Sequence, residues 1–178
     1  MLKKGLFLIF GLLCLSFNPN VKAYAEMDDS DGSVVNLNPE NIHPLTKECI
    51  IGAAKLQSID PRVMVGLLKT EGGYIGADVR NTNGSHDLGP MQINDGAWLE
   101  KIATAHFSGN QKLARLALKN NGCYNVYIGA YIFRTYLDEA HGKYTDAVGF
   151  YHSHTYDKKI SYERLVAKNL LSIFGKKG

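Results

Sequence analysis

The sequence predicts a mostly helical α+β domain that carries one small β-hairpin sheet. Two observations favour helices: apolar residues recur at three- and four-residue spacing from Pro44 onward, and several segments begin and end with capping residues. A third observation predicts the sheet, because residues 81–94 are rich in turn formers and turn at Asn83-Gly84. We find no internal repeat and no sign of a second domain.

The amino terminus, residues 1–25, is typical of a secretory signal. Lys3 and Lys4 precede the apolar stretch GLFLIFGLLCLSF, and polar residues then lead to Ala-Tyr-Ala, the small-x-small pattern that signal peptidases cut. A retained membrane anchor is the alternative, but the apolar run is short and is followed by polar residues. The sequence therefore predicts an exported protein with no stable membrane span after cleavage.

Removal of the signal changes the charge of the chain. The full sequence has 20 Lys and Arg against 17 Asp and Glu, a net charge of +3. The signal contains three lysines and no acid, so the remaining chain is neutral. Neutrality does not favour nucleic acid or an anionic membrane as a partner. The remaining length, about 150 residues, suits one domain.

Two cysteines, Cys49 and Cys123, remain after the signal. In an exported protein an even pair most simply forms one disulfide, and two thiols alone do not make a zinc site. A disulfide that closes such a loop stabilises a fold by about 4 kcal/mol in the chain-entropy description. The sequence therefore predicts a disulfide, with no metal and no cofactor.

The predicted domain, residues 44–178, follows an acidic leader over residues 26–43. Its first helix follows Pro44. The second has Asp60 as its cap, a proline in first position and Gly72-Gly73 as its end.

Five further helices are predicted after the hairpin. The stretch 126–137 is apolar nearly all round, which suits a helix through the centre of the domain. The predicted starts are Asp95, residue 109, residue 126, Thr145 and Ser161. The apolar face expected on the last helix is formed by Leu165, Val166, Leu170 and Ile173.

Glu71 stands where a purely structural acid is costly. It shares a helical face with Met64 and Leu67, which places the carboxyl in line with the buried stripe. It also ends the helix, where the macrodipole disfavours negative charge. Both effects raise the pKa of a carboxyl group, and an acid protonated near neutral pH can donate to a glycosidic oxygen. The alternative is a carboxylate that turns outward and pairs with Lys69 or Arg80.

The residues around Glu71 resemble two groups of cell-wall enzymes. The stretch TEGG, followed by NTNGSHDLGPMQIN and a tryptophan, is similar to the hairpin of animal-type lysozymes. A glutamate at a helix end before a Gly-x-Met-Gln element also resembles bacterial lytic transglycosylases. Within that group the likeness is strongest to the small exported muramidases of secretion systems, conjugation machines and type IV pili. It extends from about Pro44 to Ile173.

This resemblance implies a lysozyme-like fold and a peptidoglycan-cleaving lytic transglycosylase in the periplasm or cell envelope. Such an enzyme breaks the bond between muramic acid and glucosamine and leaves an anhydro-muramic end. The implied partners are glycan strands and components of a secretion, conjugation or pilus apparatus. The enzyme itself is expected to be a monomer.

The resemblance also assigns site residues. Glu71 matches the catalytic acid, and Asn125 and Gly129 match a spacing on the central helix. Gly72 departs from the serine that usually follows the acid, and a histidine replaces the asparagine that usually follows the late-helix tyrosine. The residues matched to substrate binding are Gly89, Met91, Gln92, Asn94, Tyr151, His152 and Ser153.

Asp87 distinguishes two chemistries. It matches the lysozyme carboxylate that attacks or stabilises the sugar cation, and a retaining hydrolase needs that group about 5 Å from the acid. A structural role, bonding hairpin N–H groups or Ser85 and His86, is equally open. Two alternatives to a transglycosylase therefore remain. One is a retaining hydrolase that uses Glu71 and Asp87, and the other is a non-catalytic glycan-binding or assembly module.

Overall fold

The computed structural model describes residues 42–175. The predicted signal and residues 26–41 of the predicted leader lie outside the described residues. The described part contains seven α-helices and one small antiparallel sheet, which confirms the mostly helical α+β prediction. His43, the last residue of the predicted leader, belongs to the folded unit, because its backbone bonds to Asn120 and Gly122 at 3.0 Å each.

The secondary structure follows the predicted order of elements. The helices are α1 (Lys47–Leu56), α2 (Pro61–Glu71), α3 (Asp95–His106), α4 (Gln111–Asn120), α5 (Gly122–Glu139), α6 (Tyr144–His152) and α7 (Tyr156–Phe174). The strands are β1 (Asp78–Arg80), β2 (His86–Leu88) and β3 (Ile93–Asn94). They pair antiparallel in the order β1-β2-β3. The predicted turn at residues 83–84 lies between β1 and β2, but β1 precedes the predicted hairpin, residues 81–94, which contains β2 and β3.

The caps of α2 are those that the sequence predicts. The Asp60 carboxylate accepts a hydrogen bond from the Arg62 backbone N–H at 2.9 Å, and proline occupies the first turn. Gly72 ends the helix in the left-handed region, with φ 62°, and its N–H donates to Leu68. Because Gly72 stops α2 here, Glu71 is its last residue.

The core is built around α5, which packs against α1, α4 and α6. Val126, Ile132 and Phe133 are among its buried residues. Cys49 on α1 and Cys123 on α5 are placed at disulfide distance, with Cα atoms 5.2 Å apart. No helix within residues 42–175 has both the length and the apolarity needed to cross a bilayer.

The prediction for α7 is wrong at its start and on part of its inner face. The helix begins at Tyr156 after Thr155, so Ser161 lies inside it rather than at its cap. The predicted packing residues Leu165 and Ile173 are 46% and 43% exposed. The inward face instead combines Tyr162, Val166 and Leu170, because the last two pack on Gly66 of α2. A Cβ at Gly66 would lie only 2.9 Å from Leu170 and 3.3 Å from Val166.

Three other helix starts differ by smaller amounts. The central helix α5 begins four residues earlier than predicted, because the Asn121 side chain caps it by accepting from the Tyr124 N–H at 2.9 Å. Helix α4 begins after Asn110, whose side chain accepts from the Leu113 N–H. Helix α6 begins at Tyr144 and already includes Thr145.

Candidate active site

Glu71 is half-buried at the end of α2. Its Oε1 accepts a hydrogen bond from the Tyr162 hydroxyl. Among residues 42–175 no cation pairs with it, and neither Lys69 nor Arg80 takes that place. Burial raises the pKa of Glu71 to about 7, the Tyr162 bond opposes this rise and the charge of Asp87 adds to it. The carboxyl therefore keeps its proton close to neutral pH.

Tyr162 on α7 is the main site residue that the sequence did not reveal. Its side chain is only 7% exposed, and burial followed by the charge of Glu71 raises its pKa, so the hydroxyl stays protonated as a donor. The His152 ring stacks on it with centroids 4.8 Å apart and an interplanar angle of 4°. A usable signal was present, since Tyr162, Val166 and Leu170 recur at four-residue spacing.

Tyr151 links α6 to the segment that follows β2. Its hydroxyl donates to the Met91 carbonyl oxygen at 3.2 Å. Burial, followed by the charge of Glu71, raises the pKa of Tyr151. The ring also meets Tyr136 edge to face, with centroids 6.5 Å apart. The charge of Glu71 therefore reaches Tyr151, and the bond from Tyr151 to Met91 holds one wall of the site, residues 89–92.

That wall, residues 89–92, approaches the end of α2 closely. A Cβ at Gly73 would lie 2.7 Å from Gln92 Nε2 and 2.8 Å from the Pro90 oxygen, so only glycine fits there. Gln92 Nε2 donates to the Gly89 oxygen at 2.8 Å, and Gln92 itself has a φ of 48°. Gly89 has a φ of 66° and would clash with Asn125 if it carried a Cβ. The glycines thus bring this wall against Gly73, two residues after Glu71.

Asn125 anchors the same wall to the central helix. It is fully buried, and its Oδ1 accepts from the Met91 N–H at 2.7 Å. Its Nδ2 donates to the Leu88 and Leu118 oxygens at 2.9 Å each. One turn later, Gly129 leaves room for the Met91 side chain, which is fully buried. Met91 therefore shapes the site from within the core, and its side chain does not face a ligand.

Asp87 and Asn94 bond to each other across the β2–β3 pair. Asn94 Nδ2 donates to Asp87 Oδ1 at 2.8 Å and to Ser85 Oγ at 2.9 Å. Asn94 Oδ1 caps α3 by accepting from the Ala97 N–H at 3.2 Å. These hydrogen bonds hold Asn94 within the scaffold. Asp87 has this structural bond and also acts on Glu71 through its charge.

A cavity of about 490 Å³ opens beside Glu71, between the end of α2 and the first half of α7. Its volume is in the range of small-ligand sites. Of the predicted site residues, Glu71 and His152 line it, whereas Ser153 bonds the Thr155 N–H at the α6–α7 turn. The lining residues are Thr70, Glu71, His152, Asp157, Lys158, Ser161, Tyr162 and Leu165.

The site brings the Glu71 carboxyl and the Tyr162 hydroxyl that bonds to it to the wall of a cavity, and the charge of Asp87 acts on that carboxyl. Within residues 42–175, no three His, Cys, Asp or Glu side chains form a group that could hold a metal ion. This arrangement suits proton donation to a bound oxygen. Comparisons with models of protein families and with curated proteins found no match for the chain.

Proposed function

We propose that the protein is a lysozyme-like lytic transglycosylase that cleaves peptidoglycan and uses Glu71 as its acid. The observation that carries the proposal is the half-buried Glu71 carboxyl, which has a pKa of about 7 and no paired cation among the described residues. It lines an open cavity of about 490 Å³. The resemblance of the hairpin and the Gly-x-Met-Gln element supplies the substrate class.

The reaction needs one group that first gives and then takes a proton. Glu71 donates its proton to the oxygen between muramic acid and glucosamine, and the bond to the muramic C1 breaks as the glucosamine leaves. The resulting carboxylate accepts the proton of the muramic C6 hydroxyl, whose oxygen closes on C1 to give the anhydro sugar. A pKa near 7 suits both steps at neutral pH. Tyr162 stabilises the intervening carboxylate by its hydrogen bond.

A retaining hydrolase is the second candidate, favoured by the charge of Asp87 acting on Glu71. In that mechanism Asp87 attacks or stabilises the sugar cation, and water completes the reaction. We favour the transglycosylase because the Gly-x-Met-Gln element is typical of that group. Local opening of the wall for a secretion, conjugation or pilus apparatus is the corresponding biological role, in the periplasm or cell envelope.

The test is digestion of purified peptidoglycan followed by mass analysis of the released fragments. A transglycosylase product is lighter by one water than a hydrolase product. Glu71→Gln should lower the rate by about a thousandfold, because it removes the proton donor. Glu100→Gln, which changes an exposed glutamate of α3, serves as the matched control. Release of fragments at the unchanged rate by Glu71→Gln would defeat the proposal, and binding without cleavage by the wild type would identify a binding module.

A further inference from the structure

The cavity beside Glu71 has one cationic wall residue, Lys158. Lys158 lies in the first turn of α7, where the helix macrodipole disfavours positive charge. Within residues 42–175 its ammonium group takes part in no ion pair. Lys158 is thus an exposed lysine on the wall of this cavity, and no carboxylate among residues 42–175 pairs with it.

The adjacent lysine shows what a structural role looks like on this helix. Lys159 Nζ lies 2.6 Å from Asp146 Oδ1 on α6 and 2.7 Å from Glu163 Oε1 one turn along α7. The pair with Asp146 ties α7 to α6. Lys158 has no such bond and lines the cavity instead, together with Thr70, Ser161 and His152, which can donate or accept hydrogen bonds.

We propose that Lys158 binds a carboxylate carried by the muramic residue on which Glu71 acts, an inference that rests on the proposed function. Muramic acid differs from glucosamine by a lactyl ether on C3 of the same ring whose C1 reacts. In stripped strands this group ends in a free carboxylate, and in peptide-bearing strands the attached peptide supplies the carboxylate. Glu71 and Lys158 line the same cavity, so a substituent on the reacting ring would meet the lysine there, and an ammonium group pairs with either carboxylate.

Asp157 is the opposing charge in this cavity, since it lines the same wall beside Lys158. Its carboxylate repels an anionic substituent, so the two residues should influence binding in opposite directions. Lys158→Ala should lower the preference for carboxylate-bearing strands, and Asp157→Asn should increase it. Both side chains are exposed, so the substitutions leave the core unchanged.

Binding in the Glu71→Gln background tests this inference without cleavage. The probes are three oligosaccharides of equal length: an N-acetylglucosamine oligomer, a stripped glycan with free lactyl groups, and a peptide-bearing glycan. Calorimetry at low salt should show carboxylate-bearing probes binding about fivefold tighter than the neutral oligomer. Lys158→Ala should remove the difference, and Lys168→Ala, an exposed lysine farther along α7, should retain it.

The outcomes distinguish the two possible sources of the carboxylate, the lactyl group and the attached peptide. A preference for the stripped glycan identifies the lactyl group, and a preference for the peptide-bearing probe alone identifies the peptide. Equal affinity for all three probes, or a preference that survives Lys158→Ala, overturns the inference. A Lys158-dependent preference in a wild-type protein that cuts nothing would refute the proposed catalysis and leave the carboxylate site standing. Cleavage without the preference would refute the carboxylate site alone.

Discussion

The fold provides cations for Asp78 and Asp95, at its small sheet, and within residues 42–175 it provides none for Glu71. Arg115 on α4 pairs with Asp95 at the start of α3 and lies 2.6 Å from Asp78 on β1. The His86 backbone N–H also donates to Asp95 at 2.7 Å. Burial raises the pKa of Asp95, but the His86 and Arg115 bonds outweigh it and keep that pKa below its ordinary value.

At the end of α2, burial is the largest effect on Glu71, and no cation among residues 42–175 offsets it. The Tyr162 hydroxyl lowers the pKa of Glu71 and the like charge of Asp87 raises it, and the pKa remains at about 7. Desolvation is the first cause of the pKa change at both carboxyls. Their partners differ as well, and a half-buried carboxyl left without a cation is a functional candidate.

The largest expected effect on stability is that of Glu71→Gln, which should change how the free energy of unfolding depends on pH. The folded-state pKa of Glu71, about 7, exceeds its ordinary value of 4.5, so the native state binds more protons between these pH values. The wild type therefore loses stability as pH rises from about 4.5 through about 7. Glu71→Gln should unfold with a free energy higher by about 2 kcal/mol above this window, after allowance for partial exposure. Denaturant unfolding of wild type and variant at a series of pH values measures this difference. If the two free energies of unfolding depend on pH in the same way, the pKa of Glu71 is not raised.

The second effect concerns the paired region and has the opposite sign. Arg115→Met should lower the free energy of unfolding by about 1 to 2 kcal/mol at neutral pH, because Asp95 loses its arginine and Asp78 keeps only the more distant Lys119, at 3.7 Å. The folded-state pKa of Asp95 is lowered, so this stabilisation exists above the unfolded value of 3.8 and disappears as pH falls through the folded one. The difference between variant and wild type should therefore shrink in acid.

Arg134→Met is the matched control for that measurement. Arg134 pairs with Asp138 one turn away on α5, and the Asp138 side chain is 67% exposed. Such a pair contributes about 0.5 kcal/mol or less. An equal loss in both variants would show that Arg115 has no special importance for the sheet region.

Local signals in the sequence were sufficient to place Glu71 at the end of α2 and insufficient to identify its hydrogen-bond partner. The position of Glu71 follows from α2 alone, through its apolar stripe, Asp60 and Gly72. The partner Tyr162 lies 91 residues away, and its orientation depends on where α7 begins. Thr155 and Ser161 are both plausible caps, and only the packing of α7 on α2 decides between them.

The ion pairs of Arg115 are hidden for the same reason. Asp78 is 37 residues before it, on a strand that lies outside the predicted hairpin, residues 81–94. Charge spacing along a helix predicts partners three or four residues apart and none across the fold. The sequence therefore indicates the unusual position of Glu71. It does not indicate the contact that tunes the pKa of Glu71 or the ion pairs that neutralise Asp78 and Asp95.

The third expected effect is that of Tyr162→Phe, which tests the hydrogen bond from Tyr162 to Glu71. Tyr162→Phe removes a bond that lowers the pKa of Glu71, so that pKa should rise further and the alkaline limb of the pH–rate profile should move upward. The rate constant should fall about tenfold, since the carboxylate intermediate loses its donor. The phenyl ring can keep its stacking with His152. An alkaline limb that stays in place would show that the bond does not tune the acid.

The smallest expected effect is that of Asp87→Asn. The negative charge of Asp87 raises the pKa of Glu71, so its removal should move the alkaline limb downward, opposite to Tyr162→Phe. The Asn94 Nδ2 bond to position 87 at 2.8 Å can be kept by an amide oxygen, so the hairpin should remain folded. Asp78→Asn is the control, because Arg115 already neutralises that carboxylate.

Turnover in the same variant separates charge from nucleophilicity. A transglycosylase should retain its rate within about threefold, because the muramic hydroxyl attacks C1 and Asp87 contributes only a field effect. A retaining hydrolase should lose at least about a hundredfold, since its nucleophile or cation stabiliser is gone. If the alkaline limb of the pH–rate profile moves to lower pH while turnover stays nearly unchanged, the role of Asp87 is to raise the pKa of Glu71. A collapse of turnover, with products heavier by one water in the wild type, would instead make Asp87 the second catalytic carboxylate.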